Sequence, residues 1–483
     1  MPDLLLANAR LIGAPEPVDV LVRDGVIAGV GEPIAGPVER VDLDGRTLMP
    51  GLWDQHVHLD QWALARQRVD VSAADSAAAA IRLVLDRLDR APLTPGTALI
   101  GYGFRDGLWP DTPTAALLDA AVGPTPVILV SGDLHCAWFS TAGLRYAGVG
   151  DHPAGLLREA EWLPLTSVVD RVDAATMDHW VTEAAADAAA RGVVGVLDLE
   201  IADNVLPWRR RAAAGFDLLR VRAGVWEAHL DRVLDEGLRT GDPLVPGGLI
   251  TQGPLKVVTD GSLNTRTAFC HDPYPGTASH GILSVPPEHL VPLMHRVTAH
   301  GLTCAIHAIG DHANTLALDA FAESGARGTI EHAQLLTDRD VARFAELGVV
   351  ASVQPEHAMD DRDVADRHWA GRTGRAFALG SLHAAGVRLV LGSDAPVAPL
   401  DPWIAVDAAV RRSRDGRAPW HPEQRIDLLT ALAASVDGQR LGLAVGAPAD
   451  LAVLDADPLT ASDLRRLPVV GTLIAGRWTH RAL

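Results

Sequence analysis

The chain reads as an α/β protein: a (β/α)8 TIM barrel with a small β-sandwich built from both chain ends and an inserted α/β cap subdomain. Three observations predict this. Eight apolar, strand-like runs recur at 52–58, 193–199, 221–226, 255–260, 303–308, 328–332, 349–354 and 387–393. Most are followed by a helical pattern or by a loop leading to one, the alternation of a parallel sheet closed into a barrel. The gap at about 60–190 is too long for a barrel connection and so holds an insertion. Short strand-like runs at the two chain ends each lack a core of their own.

In order, runs at 4–11, 18–22 and 26–30 read as short strands, with Asp24-Gly25 as the turn between the last two. Runs at 450–454 and 469–475, followed by a Gly476-Arg477 turn, are their expected partners. Residues 1–48 plus 441–483 then form the sandwich, 49–59 plus 191–440 the barrel, and 60–190 the cap. Inside the cap, runs at 98–104 and 127–130 and the segments around Trp109, Trp138 and Trp162 suggest mixed α/β structure over the barrel mouth. Helical spacing of apolar residues appears at 174–191, 288–300, 313–323 and 338–347.

A length of 483 residues exceeds what one core usually supports, which fits two or three units. No run approaches the roughly 18 apolar residues of a membrane span. The start, Met1-Pro2-Asp3-Leu4, has no basic region ahead of an apolar one, so a soluble, cytoplasmic protein is expected. A formal charge of -19 disfavours nucleic acid or an anionic membrane as partner and leaves a small-molecule substrate as the expected one. Cys136, Cys270 and Cys304 are odd in number and far apart, which argues for buried thiols rather than disulfides or a thiolate cage. Of 42 basic residues, Lys256 alone is a lysine. In so arginine-rich a chain this suggests a task for an amine that can lose its proton, although chance survival of one lysine is another reading.

Chemistry in such a barrel collects at the C-terminal strand ends. His56 and His58 end the first run one residue apart and share a face. Neutral imidazoles there suit a borderline divalent ion such as zinc, though His-x-His alone is read equally well as a hydrogen-bonded structural pair. His307 and His332 sit at the ends of the fifth and sixth runs, Asp394 follows the eighth, and Lys256 lies within the fourth.

The stretches Gly51-Leu52-Trp53-Asp54-Gln55-His56-Val57-His58, Asp260-Gly261-Ser262, His307-Ala308-Ile309-Gly310-Asp311, Ile330-Glu331-His332-Ala333-Gln334 and Gly392-Ser393-Asp394-Ala395-Pro396 carry a resemblance to the metal-dependent amidohydrolase superfamily. Within it the chain most resembles the YtcJ-like branch that includes N-substituted formamide deformylases. Asn264 departs from the glycine expected in Asp-Gly-Ser-Leu-Gly. The resemblance implies one or two divalent ions, with His56, His58, His307, His332 and Asp394 as ligands and Lys256, carboxylated by CO2, as the anionic bridge of a two-ion site. A bound metal lowers the pKa of water from near 15.7 toward about 7 and polarises a carbonyl. Asp394 would then take the proton and return it to the leaving nitrogen.

Other candidates come from position alone. His357 follows the seventh run and is read as binding substrate or its oxyanion, or as structural. Asp133 and His135 would reach the pocket from the cap, or lie in a surface turn. Arg266 would pair with a substrate carboxylate, or with an internal acid. Asp311 is expected to cap the helix starting near His312, and Glu200 and Glu227 to support ligands from the ends of the second and third strands. The reaction expected is hydrolysis of a non-peptide C–N bond in an amide or N-formyl compound. Deamination of a heterocycle and a non-catalytic barrel scaffold or binding protein are the alternatives. Monomer and homodimer are both left open.

Overall fold

The computed structural model describes residues 3–32, 37–91, 93, 96–150, 152 and 154–483; Met1, Pro2 and residues 33–36 of the expected sandwich, and 92, 94–95, 151 and 153 of the expected cap, lie outside the described residues. Eight parallel strands form the central sheet in chain order: β1 (Leu52–Val57), β2 (Val193–Asp198), β3 (Arg220–Trp226), β4 (Ile250–Val258), β5 (Cys304–Ala308), β6 (Gly328–His332), β7 (Val350–Val353) and β8 (Leu389–Leu391). The seam closes just beyond β8, where Asp394 N donates to His56 O at 2.8 Å and His58 N donates to Ala395 O at 2.8 Å. Gly392 permits this approach, since a Cβ there would stand 2.8 Å from His56 N. The strands are apolar along their length because both faces are covered. Their core includes Leu52, Val196, Val221, Leu255, Ile306, Ile330, Ala351 and Leu389.

The surrounding helices match the apolar periodicity: Ala174–Ala189, Pro287–Ala299, Asp311–Ser324 and Asp338–Leu347. β4 begins five residues earlier than the apolar run implies, because Gly253-Pro254, ordinarily a break, lies within it opposite a register shift in β3. Asp311 does not cap its helix; the cap position is Gly310, and Asp311, first residue of the helix, accepts from His271 N at 2.9 Å.

The inserted segment carries a five-stranded sheet, ordered Leu156–Arg158, Cys136–Phe139, Val127–Ser131, Leu99–Phe104, Val69–Asp70. Helices Ala77–Arg90 and Ala115–Val122 pack on it. At the chain ends, Leu4–Leu11 pairs with Val18–Arg23 and Glu39–Asp42 through its first half and with Thr47–Pro50 through its second. Thr47–Pro50 then pairs with Leu451–Leu454, which joins the C-terminal hairpin Val469–Ile474 and Arg477–Arg481. Leu6, Val20, Ile27, Leu48, Leu451 and Leu473 form one core between the two termini. All three cysteines are buried and free. Among the described residues, no helix is long and apolar enough to cross a membrane.

Candidate active site

β1 delivers His56 and His58 to the C-terminal mouth, and the seam brings Asp394 directly beside them. Asp394 Oδ1 lies 3.2 Å from His58 Nε2 and 3.4 Å from His56 Nε2, and its Oδ2 lies 4.0 Å from His332 Nδ1 and 3.8 Å from His357 Nε2. His307 packs on His332 with ring centroids 4.5 Å apart. Lys256 Nζ is 3.4 Å from His56 Nε2. All of these side chains are buried.

Strand alternation puts Glu331 and His332 on opposite faces of β6, yet both reach this cup. His332 does so by ending the strand in the left-handed region, with φ 74°, and Asp394 has φ 58°. Non-glycine residues held there cost of order 1–3 kcal/mol each, a cost that clusters at sites where side-chain aim matters.

Three buried carboxylates hold the cup in place. Glu331 Oε2 accepts from His56 Nδ1 at 2.6 Å, which leaves the Nε2 lone pair facing Lys256 and Asp394. Asp54 Oδ1 accepts from Ser393 N at 2.9 Å and His56 N at 3.2 Å, tying the loop after β8 to β1. Asp260 accepts from Ile309, Gly310 and Phe269 N at 2.8–3.0 Å and stands 3.4 Å from His307 Nε2. Glu331 lies inside a stretch that points to the site from sequence alone, but its role depends on meeting a residue 275 positions away.

Burial, with Lys256 alongside, pushes His56 down to about 4 against the opposing pull of Asp394 and Glu331. Burial and His307 hold His332 well below the usual imidazole range. Burial likewise lowers Lys256, partly offset by Glu331 and Asp394. Burial alone would raise Asp394, but His56, His58 and His332 outweigh it and hold the carboxyl well below its ordinary value. His56 and His332 are thereby held neutral beside one ionised carboxylate, whereas at His58 burial is outweighed by Asp394 and Glu200, which raise the ring.

Above the cup lies a cavity of about 200 Å³, with Trp226, Val258, Leu263 and Ile309 among its apolar walls. His357 lines it, and Gln334 Nε2 donates to His357 Nδ1 at 3.3 Å. Asp133 and His135 also line it, brought in by the inserted segment together with Arg105. Arg105 is engaged by Asp360 at 3.1 Å, Asp361 at 3.5 Å and Val397 O at 3.1 Å. Asn264, the departure from the glycine pattern, is buried in the cavity wall.

Two expectations need correction. Arg266 is exposed between the buried Thr265 and Thr267, on a left-handed backbone with φ 60°, and is not part of the cavity wall. It makes no ion pair among the described residues, so the internal acid expected as one of its partners is not found, and its exposure outside the cavity wall leaves it off the substrate-facing surface. Glu227 is half exposed and pairs with His289 at 2.8 Å, away from the cup, because the helix starts there and turns it outward. Glu200 does stay near: it is buried, accepts from Gln61 N at 3.0 Å, and its charge favours the protonated form of His58.

The donor set fits a divalent ion. One ligand atom each from His56, His332 and Asp394 lie within 4.8 Å of one another. The buried His332 Nδ1 and His357 Nε2 have no hydrogen-bond partner among the described residues, and such orphaned buried polar atoms require explanation. Neutral imidazole with carboxylate is a donor combination suited to zinc and similar ions.

Barrel, buried donor cup and terminal sheet together define the chain's class, and the family model agrees. The chain belongs to the amidohydrolase family, which its residues 39–480 match. It is 28% identical to YtcJ of Bacillus subtilis (strain 168) over 95% of both chains. It is also 28% identical to the N-substituted formamide deformylase of Arthrobacter pascens, over 99% of this chain and 98% of that one. Among solved structures it is similar to an uncharacterized metal-dependent hydrolase from Pyrococcus horikoshii OT3, with a TM-score of 0.80, 26% identity, and coverage of 96% of this chain and 99% of the other.

Proposed function

We propose that the protein is a metal-dependent hydrolase that cleaves a non-peptide C–N bond in an amide or N-formyl compound. The observation that carries this reading is the convergence of His56, His58, His307, His332, Lys256 and Asp394 in one buried cup beneath a small cavity. Full-length similarity to a formamide deformylase supports the choice of bond. In this reading the four histidines and Asp394 hold one or two divalent ions, zinc being the expected metal. The bound ion supplies Lewis-acid polarisation of the substrate carbonyl and a water acidic enough to act as nucleophile near neutral pH.

The remaining work falls to side chains. Asp394, ionised and within 4.0 Å of four imidazole nitrogens, accepts the proton of the attacking water and passes it to the departing nitrogen. His357, with Nδ1 taken by Gln334, presents Nε2 to the bound substrate. Trp226, Leu263 and Ile309 exclude water around a hydrocarbon substituent. Lys256 is carboxylated: its amine, buried and shifted toward the neutral form, adds to the carbon of CO2 and releases its proton to water, and the resulting carbamate would supply anionic oxygen ligands to the ions. A buried ammonium beside His56 and two cations would be unfavourable.

The test combines metal analysis with a hydrolysis screen of formamides, N-acylated amino acids and cyclic amides. Zinc-dependent release of amine with formate or carboxylate is the expected result. Ammonia released only from a nucleobase panel would replace this reading with deamination. Inactivity of the fully metallated protein on every substrate would replace it with a scaffold or binding role. Electron density that ends at a bare Lys256 amine, with the metals at full occupancy, would remove the carbamate.

A further inference from the structure

On the wall of the cavity, the inserted segment and the barrel share a set of polar groups that the mechanism above leaves unused. His135 Nδ1 donates to Glu159 Oε2 at 2.9 Å. Glu159 Oε1 accepts from Thr267 Oγ1 at 2.6 Å and Thr265 Oγ1 at 3.0 Å, both in the loop after β4. Asp133 accepts from Ser262 Oγ of the same loop at 2.9 Å, from Ser131 Oγ at 2.6 Å and from His135 N at 3.2 Å. Glu159 thus holds the imidazole while Asp133 holds the backbone N of the same residue, and hydroxyls fix both carboxylates. Glu159 is held with φ 45°, an unfavourable backbone for a residue other than glycine.

With Nδ1 consumed, His135 has one polar atom left. No described residue partners Nε2, and the ring lines the cavity with its centroid 6.3 Å from that of His307. We infer that His135 is a catalytic residue supplied by the inserted segment, donating a hydrogen bond from Nε2 to the acyl oxygen of the amide substrate, and that Glu159 is its positioning residue. This rests on the amide-hydrolysing reading given above. A neutral imidazole donating from Nδ1 would offer only a lone pair at Nε2, so the second proton matters. Burial opposes that proton, but the Glu159 carboxylate, kept ionised by the Thr265 and Thr267 hydroxyls that donate to it, stands 2.9 Å from Nδ1 and favours the imidazolium. The acyl oxygen gains negative charge as the nucleophile adds, so a fixed donor aimed at it acts more strongly on the transition state than on bound substrate. The effect therefore falls on kcat rather than KM.

The experiment is a double-mutant cycle on zinc-loaded full-length protein with N-butylformamide as substrate. H135F removes the donor and keeps a ring; H135Q restores an N–H; E159Q keeps the shape of the positioning residue. The expected result is a fall in kcat of about a hundredfold in H135F with KM within about threefold, the size typical of one lost oxyanion donor. H135Q regains part of the loss, and E159Q slows the wild type but not H135F. If H135F does not fold, the same cycle is run with H135Q, in which E159Q must again add little. A wild-type kcat in H135F, or losses from H135F and E159Q that simply add, would overturn the assignment alone. A wild-type protein that cleaves no amide would instead overturn the functional reading on which it rests.

Discussion

At the scale of single residues, two carboxylates near His56 do different work. Asp394 faces the cavity, whereas Glu331 is buried behind the imidazole and fixes which nitrogen presents its lone pair. D394N is expected to lower kcat by about 10² or more, the range for loss of a proton-transfer group, with the fold intact by circular dichroism. Full turnover with metal retained would remove its role. E331Q is expected to weaken metal retention by about 10- to 100-fold, as changes behind a metal-binding histidine typically do, measured by competition with a chromophoric chelator. The candidate donors were legible because residues at strand ends can be counted along the chain. Glu331 and Glu159 were not, since each takes its meaning from a partner that only folding supplies. Arg266 misled because a loop gives no period from which to tell an inward side chain from an outward one.

At the scale of elements, the strand runs were legible to within a residue or two wherever apolar sequence stopped at a turn. β4 was the exception, since Gly253-Pro254 reads as punctuation until the register shift with β3 is visible. The contact between the inserted segment and the loop after β4 yields a pH prediction. His135 is raised from its ordinary 6.5 to about 9, burial being outweighed by Glu159 and Asp133, so the folded protein binds a proton that the unfolded chain releases. The stabilisation is therefore complete below about pH 6.5 and is lost as pH rises through about 9. Melting curves of wild type and E159Q should accordingly converge across that window; a constant difference would contradict the linkage. Gly392→Val places side-chain atoms against β1 backbone that cannot yield. A loss of about 1–3 kcal/mol, read from the urea midpoint, is expected for such overpacking.

At the scale of the whole molecule, the termini are structural partners: Thr47–Pro50 enters the barrel on one side and pairs with Leu451–Leu454 on the other. The sandwich was legible because each end alone had too few apolar residues for a core, while the path of the inserted segment was not, since its strands pair only with one another. If the cup holds ions in the native state only, chelation must lower the stability of the entire chain. An ion present at a thousand times its dissociation constant contributes about 4 kcal/mol, so differential scanning calorimetry should show a clear drop in Tm with chelator and recovery on adding zinc. No shift would mean that the donors are not occupied.

The seam between β1 and the loop after β8 also sets an order of events during synthesis. His56 and His58 leave the ribosome more than three hundred residues before Asp394, and the hydrogen bonds that bring them together run from Asp394 N to His56 O and from His58 N to Ala395 O. A nascent chain therefore carries histidines without a pocket until residue 394 has been translated. Any ion that needs the whole donor set can be held only after Asp394 has been made, and a premature stop anywhere ahead of residue 394 leaves a product with no complete donor set.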